Sequence, residues 1–70
     1  MKQIKATMAG SVWKMLVSEG EQVTAGQEVV ILESMKMEIP ITAETSGTVK
    51  KVRIEEGGFV NEDDILIELA

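Results

Sequence analysis

The sequence predicts an all-β fold, a sandwich or flattened β-barrel with approximate two-fold symmetry. Three observations carry this prediction. Val and Ile dominate the apolar residues, Thr adds to the β-branched total, and Trp13 and Phe59 are the only aromatics, a composition that suits strands. Short apolar runs alternate with turn signals, and no helical period persists over three turns. The sequence also repeats itself. Gly10–Gly20 lies over Gly47–Gly57 at an offset of 37 residues, and the match continues with Val23 over Val60, Val29 over Leu66, Val30 over Ile67 and Leu32 over Leu69. Two similar four-strand units of about 30 residues can each cover the other's apolar face, whereas one alone would leave its core in water.

The elements follow in order. Strands are predicted at Gln3–Thr7, Val12–Val17, Glu28–Ser34 and Met37–Thr42, then at Val49–Ile54 and Ile65–Leu69, with shorter pieces around Val23 and Val60. Ala9-Gly10, Glu19-Gly20, Ala25-Gly26, Ser46-Gly47 and Gly57-Gly58 mark the turns between them. Pro40 lies inside one run, which assigns it to an edge strand or to a position whose nitrogen faces away from the ladder. Met15 over Val52 and Val17 over Ile54 are apolar in both copies, so that face points inward. Trp13 over Lys50 and Leu16 over Arg53 mix apolar with cationic, so those positions border solvent. Trp13 is read as an isolated exposed apolar residue in preference to a partner contact.

Composition then narrows the function. The chain has 70 residues, one domain spanning 1–70. It contains no Cys and no His, which excludes disulfide frameworks, serine-histidine triads, cysteine-histidine pairs and zinc hydrolases. The net charge is -5, from 12 acidic and 7 basic residues, which argues against binding nucleic acid or anionic membranes. No run approaches the roughly 20 apolar residues of a membrane helix, and Lys2 leads straight into patterned sequence without an apolar signal core. The expectation is a free-standing cytoplasmic domain.

Residues 34–46 have no counterpart in the overlay, because they join one copy to the next. Near their start lies Glu33-Ser34-Met35-Lys36-Met37-Glu38. A link between two halves related by a two-fold axis projects from one end of the sandwich, which puts Lys36 at a hairpin tip. Lys36 is the only lysine with apolar residues on both sides inside a predicted tight turn. Lys2, Lys5, Lys14, Lys50 and Lys51 lie in or beside strands, as solvated-face residues do. Methionines at an exposed turn add little to solubility, but adaptable thioethers suit a surface that another protein grips. The residues alone leave two readings open: a functional lysine on a loop tip, or a surface lysine between two core methionines.

The run Glu33–Glu38 resembles the attachment motif of biotinyl domains, the carrier modules of biotin-dependent carboxylases and decarboxylases. The segment Val17–Gln27 resembles that family's strand-turn-strand before the lysine, and Ser46–Val52 the segment after it. The resemblance covers nearly the whole chain. It implies a flattened β-barrel of two four-stranded antiparallel sheets with the lysine on an exposed hairpin. Two departures concern turns only. Ala6–Gly10 lacks the prolines common there, and Asp63 stands where the second copy would match Gly26. Ser18–Val23 is too short for the thumb loop of some bacterial carriers, so the resemblance is to the thumbless class. It implies that Lys36 is biotinylated by a biotin protein ligase, with Met35 and Met37 recognised by that ligase and Glu33 a weaker candidate. It further implies a carrier that shuttles carboxybiotin between biotin carboxylase and carboxyltransferase sites without being a catalyst itself. Its arm would hold the carried group at millimolar local concentration.

Three other readings stand beside it. A lipoyl carrier shares the fold and a hairpin lysine and serves oxoacid dehydrogenases, with lipoate as the cofactor. Such domains usually place Asp immediately before the lysine, where this chain has Met35. A Schiff-base enzyme would need a desolvated lysine and a neighbouring acid or base, which an exposed hairpin does not offer. An unmodified binding module could use the acidic stretch from Glu55 to Glu68, although such stretches are more often solvated faces.

Overall fold

The computed structural model describes residues 2–70 and is all-β. Eight strands follow one another: β1 (Lys2–Lys5), β2 (Gly10–Met15), β3 (Gln22–Val23), β4 (Glu28–Ser34), β5 (Met37–Thr42), β6 (Gly47–Val52), β7 (Phe59–Val60) and β8 (Ile65–Leu69). They form two four-stranded antiparallel sheets, ordered β1-β8-β6-β3 and β5-β4-β2-β7. The predicted fold class and every predicted strand are present. Pro40 lies in β5, an edge strand, opposite Ile31 of β4, where its missing N–H removes nothing the ladder needs.

Between the sheets lie Ile4, Val12, Val17, Val23, Val29, Val30, Leu32, Ile41, Val49, Val60, Leu66, Ile67 and Leu69, with Ala6 and Ala43, all buried. Met15, Ile39, Val52 and Ile54 pack against them from the margin. The inward assignment of Met15, Val17, Val52 and Ile54 therefore holds, as does the outward one of Trp13 and Leu16, which are exposed.

Three features depart from the sequence reading. First, the two copies do not form one sheet each. Each sheet takes two strands from each copy, with β1 and β3 joining β8 and β6, and β4 and β2 joining β5 and β7. Second, the two-fold relation reaches into the segment expected to lack a counterpart. Gly26 N donates to Ala43 O and Asp63 N to Ala6 O, so Ala6 and β1 occupy the place that Ala43 and the second half of β5 hold in the other sheet. Third, Gly10 and Gly47 open β2 and β6 instead of forming turns. A Cβ on Gly10 would stand 2.9 Å from the carbonyl oxygen of Glu33, and one on Gly47 would stand 3.2 Å from that of Ala70. Glycine is what lets these strands start against their neighbours.

The symmetry extends to side chains. Met15 N donates to the Glu56 carboxylate at 2.9 Å, and at the matching place Val52 N donates to Glu19 at 3.2 Å. Asp63 adopts φ 71°, close to the 90° of its counterpart Gly26, so the change of residue leaves the turn intact. Lys2 and Ala70 lie at one end of the molecule. Lys2 pairs with Leu69, Lys2 Nζ donates to Ser46 O, and Ala70 N donates to Thr48 O. The Ser46 hydroxyl accepts from Ala25 N, just before β4 begins. From there β4 runs seven residues to Ser34, so its far end stands roughly 20 Å away at 3.3 Å per residue.

Candidate functional site

At that far end β4 turns into β5. Ser34 and Met37 are the last pair of the ladder, so only Met35 and Lys36 form the loop. Both have positive φ, 52° and 63°. A two-residue hairpin that matches the right-handed twist of its strands requires this at both central positions, and Asn-Gly is its favoured sequence. For side chains with a Cβ the left-handed region costs about 1–2 kcal/mol per residue. The β4–β5 ladder runs from Glu28–Thr42 to Ser34–Met37, and this long pairing holds the loop in place. Strain kept where a better turn sequence exists points to a use for the side chains themselves.

The structure brings the three sequence-predicted site residues together at the tip. Met35 is 90% exposed and Met37 62%; neither is a core methionine. Lys36 is exposed, and among the described residues no hydrogen bond or ion pair engages it. Its amine is thus free for an acyl group, and a primary amine on a convex tip suits covalent attachment better than enclosure of a substrate. Directly behind the loop, Glu33 and Glu38 stand opposite each other across β4 and β5, a like-charge pair that works against the sheet.

Elsewhere four acidic residues, Glu19, Glu56, Asp64 and Glu68, have structural partners. Besides Glu56, Asp64 accepts from Asn61 N at 2.8 Å, and the largely buried Glu68 pairs with Arg53. Among the described residues no group of three His, Cys, Asp or Glu could hold a metal ion. Among the described residues no helix is long and apolar enough to cross a membrane. One exposed residue escaped the sequence reading: Phe59, 67% exposed on β7. Its position in the first copy is Gln22, and the overlay that flagged Trp13 against Lys50 would have flagged it too.

Comparison with known proteins agrees with this geometry. A family model described as biotin-requiring enzyme matches residues 2–69. The biotin/lipoyl attachment protein of Bacillus subtilis is 58% identical over 67 residues, covering 96% of this chain and 92% of that protein. The biotinylated protein TB7.3 homolog of Mycobacterium leprae is 40% identical over 65 residues, 93% of this chain and 92% of that protein. The biotin carboxyl carrier protein of Streptococcus mutans is 43% identical over 93% of this chain and 50% of its own length. Among solved structures, the urea carboxylase of Kluyveromyces lactis superposes with a TM-score of 0.91 at 30% identity, over 99% of this chain and 6% of that one. The lipoyl domain of the Azotobacter vinelandii 2-oxoglutarate dehydrogenase complex shares the fold at a TM-score of 0.76 and 24% identity, over 96% of this chain and 95% of that domain.

Proposed function

The chain belongs to the biotin-requiring enzyme family, and on that premise we propose that it is a biotin carrier with Lys36 as the attachment residue. It is not a catalyst itself. One observation carries the choice of residue: a primary amine at the tip of a two-residue turn, unengaged and flanked by the exposed Met35 and Met37. In the proposed reaction Lys36 Nζ attacks the acyl carbon of biotinyl-adenylate. The new C–N bond replaces the C–O bond to AMP, which departs, and the ammonium gives up two of its three protons to leave an amide N–H. Among the described residues no acid or base bonds to Lys36, so a biotin protein ligase must supply deprotonation and orientation.

Biotin, once attached, supplies a ureido nitrogen that accepts and gives up a carboxyl group. The chain's contribution is presentation. The short turn fixes where the arm starts, the methionines give the ligase a surface to grip, and the rigid sandwich offers one shape to each partner. Similarity to a carboxyl carrier protein and to a urea carboxylase supports a biotin carboxylase and a carboxyltransferase as the enzymes served.

The test is the intact mass of the protein from its native cells, with fragmentation to locate the adduct. A biotinyl group on Lys36 is the expected result. A lipoyl group there would move the function to oxoacid dehydrogenase chemistry, and an unmodified chain from biotin-replete cells would overturn both. Attachment also removes one cation, taking the net charge from -5 to -6 (-5 minus 1), which isoelectric focusing reads independently.

A further inference from the structure

The two-fold relation supplies an internal control for the surface. The outer face of the sheet β5-β4-β2-β7 carries Phe59, Trp13, Ile31 and Pro40, with Leu16 just past β2; Lys14, opposite Ile31, lies among them with Nζ 6.0 Å from the Trp13 ring centroid. The counterparts of the five apolar residues on the other sheet are Gln22, Lys50, Glu68, Gln3 and Arg53. All five are polar, and the same architecture tolerates them. Folding therefore does not require an apolar outer face, yet the sheet that bears Lys36 has one and the sheet that does not lacks it.

The patch is continuous with the lysine hairpin. Phe59 pairs with Ser11, and Ser11 with Glu33, which precedes Lys36 by three residues, roughly 10 Å along the strand. Trp13 is two residues further along β2, beside the irregularity between Val12 and Lys14. Both aromatics of the chain thus lie on one face, Phe59 67% and Trp13 46% exposed. Between them and the tip stands the Glu33–Glu38 pair, whose mutual repulsion a cation from outside would relieve. A specific protein contact covers about 800 Å² on each side, more than a two-residue turn offers, so an enzyme acting on Lys36 must also lie on a flank of the domain.

We infer that the Trp13–Phe59 face is the docking surface for the ligase that acylates Lys36, which presents an apolar centre to the aromatics and a basic group to Glu33 and Glu38. This rests on the carrier reading above. The other outer face, with Lys50 and Gln22, takes no part.

The test is steady-state biotinylation by purified biotin protein ligase with ATP and biotin, followed by intact mass. The comparison sets wild type against Trp13→Lys/Phe59→Gln, which copies the other sheet, and against Lys50→Ala/Gln22→Ala. Thermal melting of all three verifies folding. The expected result is a KM raised about tenfold or more in the first variant, as for truncated aromatic anchors at interfaces. Its kcat should stay within about twofold, because neither residue reaches the reacting atoms, and the second variant should match wild type. A wild-type KM in the first variant, or an equal rise in the second, overturns the docking surface while leaving the carrier reading intact. No modification of the wild-type chain would remove the carrier reading and the docking surface together.

Discussion

Met35 and Lys36 hold a backbone conformation for which their sequence is poorly suited, and this can be tested directly. Replacing them with the turn-forming pair, Met35→Asn with Lys36→Gly, should raise stability in urea by about 1–2 kcal/mol while removing the adduct entirely. Unchanged or lower stability would mean that the loop carries no strain. Lys36→Arg keeps the charge and the turn but removes the acylable amine, so it should lose the adduct and keep the wild-type melting temperature. The glycine turns give the converse case. Gly26 has φ 90° and nothing within 4 Å of a would-be Cβ, so Gly26→Ala should cost about 1–2 kcal/mol from conformation alone. At the symmetric turn Asp63 already meets that cost, and a short polar side chain tolerates the region better than most.

At the scale of elements, the reciprocal carboxylates are the clearest stabilising device. Glu56 holds Met15 N at the end of β2, and Glu19 holds Val52 N at the end of β6. Glu19→Ala and Glu56→Ala should each lower stability by about 1 kcal/mol, and a loss at only one site would show that the symmetry is geometric without being energetic. Much of this level was legible in the sequence. Alternating Val and Ile marked the strands, the repeat marked the symmetry, and the Met-Lys-Met run within its linker marked the tip. The pairing partners were not legible, because β1 meets β8 across 60-odd residues of chain and nothing local to Lys2–Lys5 names that partner. Gly10 and Gly47 were misread for a related reason. A glycine needed for close approach to a neighbouring strand looks, in one dimension, like a glycine needed for a turn.

At the scale of the molecule, interleaving matters more than symmetry. Since each sheet takes two strands from each copy, neither copy can build a sheet face alone. Residues 1–36 and 37–70, made separately, should lack strand signal in circular dichroism and regain it on mixing. A folded half would contradict the topology. The hairpin tip has a consequence of another kind, since trypsin cleaves after lysine and Lys36 is exposed. A protease, however, needs several residues of extended chain in its cleft, and the turn offers two residues between strands that are paired up to Ser34 and Met37. Cleavage after Lys36 then requires β4 and β5 to separate, so its rate reports the opening of the sheet. This exposed tip is therefore accessible to an enzyme that acylates an amine and closed to one that must bind the backbone.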